Sequence, residues 1–384
     1  MSYKGFKKIG LILLVIMFGF VGQVSAGEKR FSGKIERKLE KVVEENMAQC
    51  QGVKNIPGMI IGIWVPGKGA WMKAIGKSDL ITGKDMQIND KFRIGSNTKT
   101  FVVTVLLQLV DEGKISLDDK VSKFNLGLNM PYADKISISQ LCNMTSGIPE
   151  FSEDEELCED FYVNNPLKKW TPEEVLKTLL KHPPDFSPGE GWHYSNTGYI
   201  LLGMIIEKVT GTKIEDEIER RLIKPMKLTG TTFPINYPGL PCPYTHGYEL
   251  DDDGNWQDVT CYSPSLLWAA GAMISDMQDM KVWVKAYRTG TTNSKITQGE
   301  RLTFVDVGKG EKLKFGLGIG YTNGWLGYTG GTRGYNTAAY YLPPKDATVI
   351  VFVNTTDYLE NNISVANKIT HDITQVLFPD QPAW

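Results

Sequence analysis

Phe92-Arg93-Ile94-Gly95-Ser96-Asn97-Thr98-Lys99, running into a segment from Phe101 to Val110 that is apolar almost all round its circumference, decides how this 384-residue chain reads. Such a segment forms a buried helix. The spacing starts that helix at Ser96, and because residues i and i+3 share a helix face, it sets the Lys99 amine beside the Ser96 hydroxyl. A serine attacks a carbonyl when a neighbouring base takes its proton. An amine can be that base near neutrality once its reference pKa of about 10.4 has fallen, and both the positive helix terminus and burial push it down. Serine and lysine at this spacing recur by chance, so the pair draws its weight from its setting and from two later strings.

The second string is Tyr194-Ser195-Asn196. It follows the turn-rich Phe186-Ser187-Pro188-Gly189-Glu190-Gly191-Trp192-His193 and precedes Gly198-Tyr199-Ile200-Leu201-Leu202-Gly203, which begins a helix, so Tyr194 is placed on a loop. A phenol beside an ammonium group can be held partly as phenolate and can relay a proton between nucleophile and leaving group. Asn196 offers a donor and an acceptor, enough to hold a substrate amide while orienting Lys99. The third string, Tyr328-Thr329-Gly330, lies in Gly324-Trp325-Leu326-Gly327-Tyr328-Thr329-Gly330-Gly331-Thr332-Arg333-Gly334-Tyr335, ahead of the alternating run Asn336 to Leu342. That pattern predicts an edge strand bordering a cleft. Its glycines let a substrate backbone approach, and the N–H groups of Gly331 and Ser96 can form an oxyanion hole. Standing alone, these two strings would be an ordinary Tyr-Asn loop and a glycine-rich hairpin.

Together the three strings resemble the serine hydrolase family that contains D-alanyl-D-alanine carboxypeptidases, class C β-lactamases, D-stereospecific peptidases and related esterases. The resemblance runs from about Ile56 to the C-terminus. It includes Asp111-Glu112-Gly113-Lys114-Ile115-Ser116-Leu117-Asp118-Asp119, Thr145-Ser146-Gly147-Ile148-Pro149 and Ala269-Ala270-Gly271-Ala272-Met273-Ile274-Ser275. It implies that Ser96 is acylated, that Lys99 and Tyr194 share the base work, that Asn196 positions substrate, and that Thr329 helps bind a substrate carboxylate, within a substrate-binding set that also takes in Tyr328, Gly330, Gly331 and Arg333. Two positions depart from the family pattern. Tyr328 stands where His or Lys is usual, which removes a cation that Arg333 could replace, and Met144 stands where His is common.

The implied activity is that of a D-alanyl-D-alanine carboxypeptidase or related D-peptidase, acting through an acyl-enzyme on Ser96. A β-lactamase or an esterase on the same scaffold is the alternative, since these differ in how water reaches the acyl-enzyme. A module that binds penicillin or peptide without turnover is the alternative of another class, kept open by Tyr328. The expected partners are a small peptide, an ester or a β-lactam. The Ser-His-Asp mechanism is disfavoured, because none of His182, His193, His246 and His371 has a hydrolase-elbow context and no G-x-S-x-G surrounds Ser96.

With 41% hydrophobic and 22% charged residues, the chain can bury one large core or two linked ones. Lys4, Lys7 and Lys8, the apolar stretch Ile9 to Val21 and the small residues of Val24-Ser25-Ala26 are expected to form a signal peptide over residues 1–26, cleaved before Gly27. That predicts an exported protein, periplasmic or secreted, with no stable membrane span after cleavage. The formal net charge of −2, or −5 without the three leader lysines, leaves no electrostatic footprint for nucleic acid. Among five cysteines, Cys242 and Cys261 flank a loop excursion and are the expected pair. Cys242 and His246 lack a second ligand pair of suitable spacing, so neither a metal nor another cofactor is expected.

The periodicities place a helix over Ile35 to Met47 and strands over Met59 to Val65, Ala70 to Ile75, Leu317 to Tyr321, Thr337 to Leu342 and Thr348 to Asn354. A closing helix is expected near Ile363 to Leu377. Strands at both ends with helices between them predict an α+β chain. Residues 27–95 and 266–384 would share one antiparallel sheet flanked by helices, with a mainly helical domain at 96–265 inserted into it and the cleft between them. The resemblance implies the same β-lactamase/transpeptidase-like architecture.

Overall fold

The computed structural model describes residues 20–21, 29–50, 53–54, 56–179, 182–308, 310, 313–356 and 363–384. The expected leader at 1–26 lies outside them except for Phe20–Val21, a two-residue strand. Seven longer strands build the main antiparallel sheet: β1 (Gly58–Val65), β2 (Gly69–Asp79), β3 (Leu313–Gly316), β4 (Ile319–Thr322), β5 (Trp325–Thr332), β6 (Tyr335–Leu342) and β7 (Ala347–Val353). Their spatial order is β2-β1-β7-β6-β5-β4-β3, with Phe20–Val21 and Val305–Asp306 on the two outer edges.

β1 and β7 read Gly-Met-Ile-Ile-Gly-Ile-Trp-Val and Ala-Thr-Val-Ile-Val-Phe-Val, continuous runs rich in β-branched residues, which suit strands covered on both faces. Every residue of both strands is buried. They pair from Met59 opposite Val353 to Trp64 opposite Thr348, joining the two ends of the chain at the centre of the sheet.

Helices α1 (Gly33–Ala48) and α5 (Val365–Leu377) cover one face, where Leu39, Val43, Ile369 and Ile373 meet Ile61, Ile63, Val349 and Val351. The other face carries α2 (Thr98–Asp111), α3 (Asn196–Thr210) and α4 (Met277–Thr289). There Phe92, Ile350 and Phe352 share a continuous core with Phe101, Ile205 and Trp283, so the sheet and the helical region are packed as one body. Ser195 caps α3 by accepting from the Gly198 N–H at 3.1 Å, and Gly211 closes the helix in the left-handed conformation, φ +67°. Among the described residues no helix is long and apolar enough to cross a membrane.

The structure corrects several expectations. The strand expected over Leu317 to Tyr321 is a hairpin, broken at Leu317-Gly318 because the Gly318 backbone tucks against Val103 of α2, where a Cβ would lie 2.7 Å from the valine. The third string is not on an edge strand: β5 pairs with β6 from Leu326 to Thr332 and with β4 from Trp325 to Gly327. Pairing with β4 stops at Gly327, so the half from Tyr328 onward keeps one open side, and that side meets the turn bearing Ser96. Cys242 and Cys261 do not pair; both are free and exposed. The chain at Pro243-Tyr244 joins Lys91, while Cys261 follows the far arm of the Tyr248–Leu250 and Trp256–Asp258 hairpin.

Candidate active site

Ser96 sits in a single 3-10 turn, Gly95–Asn97, and α2 begins at Thr98 rather than at the serine. The Lys99 side chain is completely buried. Its Nζ lies 3.0 Å from Ser96 Oγ, 2.6 Å from Asn196 Oδ1 and 2.7 Å from the Ala270 carbonyl oxygen. Two of these three partners can only accept. A neutral amine gives its two N–H groups to them and keeps a lone pair for the proton of the Ser96 hydroxyl. Burial pushes the Lys99 amine down to about 7, against an opposing pull from the Glu150 carboxylate. Tyr194 donates its phenol proton to the same Ser96 Oγ at 2.6 Å, so the serine oxygen lies between the amine and the phenol.

The turn is tied to the sheet by Thr337 of β6. The Thr337 hydroxyl lies 3.2 Å from the Ile94 carbonyl and 3.3 Å from the Gly330 carbonyl, and accepts from Asn97 Nδ2 at 3.0 Å. Close packing here requires glycine. A Cβ on Gly330 would fall 2.0 Å from the Ile94 oxygen, and one on Gly95 would fall 2.8 to 3.0 Å from the Gly331 backbone. The Gly331 peptide is thereby held against the residue preceding the serine, where the expected pair of oxyanion donors would have to lie.

Ser96, Tyr194, Asn196, Thr329, Gly331 and Arg333 all line one open cleft. Tyr328 and Gly330 do not line it. Alternation along β5 turns Tyr328 inward, where it is buried with its ring edge-on to Phe315, and Gly330 is covered by Ile94. Burial and the neighbouring Tyr194 and Tyr199 phenols hold the Tyr328 phenol well above its usual range, so it is a neutral group behind Tyr194. Arg333 reaches the cleft with its charge already shared: Nε is 3.0 Å from Glu249, and another nitrogen donates to the Tyr162 carbonyl. His193 is also engaged, with Nδ1 2.6 Å from Asp185 and Nε2 3.0 Å from Glu153. Met144, at the other departure from the family pattern, is buried in the core. Among the described residues no cluster of three or more metal-ligating side chains occurs.

Two groups escaped the sequence reading. The Ala270 carbonyl is a backbone atom with no sequence signature. Glu150 lies just after Thr145-Ser146-Gly147-Ile148-Pro149 and is buried, and its Oε1 takes the Asn196 side-chain amide at 2.6 Å. A carboxylate at the edge of an acidic stretch reads as solvated, and its position beside the N-terminus of α3, 46 residues on, is visible only in space.

The family model described as Beta-lactamase matches residues 39–369. Protein flp of Staphylococcus aureus (strain MW2) is 29% identical over 262 residues, which is 67% of this chain and 49% of that protein. The chain thus spans about half the length of the curated relatives it matches. A solved D-stereospecific amidohydrolase from Streptomyces sp. is 30% identical, with a TM-score of 0.78 and coverage of 90% of this chain and 99% of that one. The D-amino acid amidase from Ochrobactrum anthropi SV3, solved with D-phenylalanine, shares the fold at a TM-score of 0.78 and 22% identity, covering 91% of this chain and 100% of that one. The match over residues 39–369 and the meeting of Ser96, Lys99 and Tyr194 at one oxygen place this chain in the serine β-lactamase-like family of hydrolases.

Proposed function

We propose that the chain is an exported serine hydrolase that forms an acyl-enzyme on Ser96 and cleaves amide bonds of D-aminoacyl substrates. The observation that carries the mechanism is the triple contact of Lys99 Nζ, which points the lone pair of a neutral amine at the serine. In acylation the Ser96 proton passes to Lys99 as Oγ bonds to the carbonyl carbon. Tyr194 then gives its proton to the departing nitrogen as the C–N bond breaks, and recovers one from the Lys99 ammonium. Water attacks the ester in the reverse sequence and frees Ser96. Export rests on the sequence of residues 1–26.

The choice among substrates rests on charge. A carboxypeptidase must hold a terminal carboxylate, and among the described cleft residues Arg333 already shares its charge with Glu249. A carbonyl substrate without that carboxylate, an amide, needs no free cation, and the Streptomyces relative is named for D-stereospecific amide hydrolysis. The D-alanyl-D-alanine carboxypeptidase reading remains the second one, because Thr329 and Arg333 do face the cleft.

The test compares D-phenylalanine amide with N-acyl-L-lysyl-D-alanyl-D-alanine, using Ser96→Ala as the blank. A kcat/KM for the amide about tenfold or more above that for the peptide is expected, and the reverse order would overturn the amidase reading in favour of the carboxypeptidase. Glu249→Gln should release Arg333 and improve the carboxylate-bearing peptide relative to the amide by about three- to tenfold. An unchanged ratio would show that Arg333 does not meet that end of the substrate.

A further inference from the structure

We propose that Glu150 is a positioning residue for acylation: by holding the Asn196 side-chain amide it turns the Asn196 carbonyl onto Lys99, and so aims the amine at Ser96. This rests on the reading of Ser96 as nucleophile and Lys99 as its base.

The amide of Asn196 has two faces, and they would have opposite effects on Lys99. Its oxygen accepts an N–H of a neutral amine and leaves the lone pair for Ser96. Its NH2 would instead donate to that lone pair and remove it from the serine. Glu150 decides between them, since a carboxylate facing Asn196 can only accept. Oε1 takes Asn196 Nδ2 at 2.6 Å, leaving Oδ1 to meet Lys99 Nζ at 2.6 Å.

Glu150 is itself held firmly. Oε2 accepts from the backbone N–H groups of Asn196 and Thr197, the first two residues of α3, where the helix terminus favours an anion. Oε1 also accepts from the Ser152 N–H at 3.1 Å and its hydroxyl at 2.7 Å. The carboxylate thus fixes both the backbone and the side chain of Asn196.

The same group acts on Lys99 through its charge. The amine is faced by Ser96 from the turn before α2, by the ring of Tyr194 at 5.1 Å and by the ring of Tyr199 from α3 at 5.3 Å. Glu150 is the charged side chain that acts on it, raising the proton affinity that burial lowers. Removing the charge while keeping the shape therefore makes the amine easier to deprotonate.

The experiment measures the pH dependence of kcat/KM for 4-nitrophenyl acetate in the wild type, Glu150→Gln and Glu150→Asp, each alone and with Asn196→Ala. In Glu150→Gln the amide oxygen stays with the Asn196 and Thr197 backbone N–H groups, which cannot turn, so the NH2 falls opposite the Asn196 side chain and flips it. The rate is expected to fall about ten- to hundredfold while the acid limb moves to lower pH by about half to one unit. Glu150→Asp keeps the charge but is too short to span both nitrogens of Asn196, so it loses rate with the limb unmoved. Both rate losses should largely disappear when Asn196 is already Ala, because the effect travels through that amide.

An unmoved limb in Glu150→Gln overturns the proposal, as does a loss in either variant that persists undiminished in the Asn196→Ala background. If Glu150→Gln does not fold, Glu150→Asp with Asn196→Ala carries the same test. Fluorophosphonate labelling of the wild type separates the two readings: a label on a residue other than Ser96 overturns the proposed function, whereas a Ser96 label with undiminished losses overturns the role of Glu150 alone.

Discussion

Lys99→Met is expected to slow acylation by about 10²- to 10⁴-fold, the usual contribution of a positioned general base. Methionine matches the length and volume of the lysine stem within the packed interior of α2, so the loss is chemical rather than structural. In the wild type the rate of acylation should rise with pH through about 7, because the amine must be neutral to accept the serine proton and burial holds it there. The variant should lack that limb. Pre-steady-state acylation by 4-nitrophenyl acetate across pH 5 to 9 measures both effects, and a variant within tenfold of the wild type would remove Lys99 from the mechanism.

A second consequence of the same burial is thermodynamic. The native amine releases its proton near 7 and the unfolded one near 10.4, so between those values the unfolded chain holds more protons. Stability therefore rises with pH across that window, by up to about 1.4 kcal/mol per unit from this group, and the penalty is fully present below 7. Lys99→Met removes the slope, although Asn196 and Ala270 each lose a donor. Thermal unfolding of both proteins at pH 6, 8 and 9.5 should show the gap between them narrowing or reversing as the pH falls.

Gly330→Ala is expected to cost about a hundredfold or more in kcat, comparable to the loss of an oxyanion donor. The added methyl would stand 2.0 Å from the Ile94 oxygen and 2.6 Å from Thr337 Oγ1, both less than any tolerable contact. Relief requires β5 to move away from the serine turn, which breaks the Thr337 link and carries the Gly331 peptide with it. Overpacking of this kind typically costs about 1 to 3 kcal/mol of stability. A chemical denaturation curve beside a progress curve separates the two losses. Near-normal kcat would show that the strand can shift without consequence, and would remove Gly331 from the oxyanion hole.

The parts of this molecule that were legible in the sequence are those whose evidence is local. β1 and β7 announce themselves as unbroken β-branched runs, and the apolar circumference of Phe101 to Val110 demands a buried helix. Ser96, Lys99 and Tyr194 could be named from two short strings, and they meet at one oxygen. What escaped depends on approach in space. Gly318 breaks a predicted strand because α2 passes beneath it, which nothing near Gly318 in the chain reports. Tyr328 was read as facing substrate, yet the open side of β5 rather than its face borders the cleft, so alternation turns that side chain inward. Arg333 does reach the cleft, but its neutralisation by Glu249 joins residues 84 positions apart. Glu150 acts through a neighbour's amide, and its residue type alone could not distinguish that from exposure.

The central pairing of β1 with β7 has a consequence for how the protein is made. Met59 must wait for Val353, so the sheet that anchors the serine turn cannot close until the residues between them have been made. Helices α2 and α3 can form earlier, but β5 and β6, which complete the cleft, lie late in the sequence. The serine turn thus lacks the strand that packs against it until that strand has been made. The central sheet and the wall of the cleft are therefore completed by the same long-range pairing.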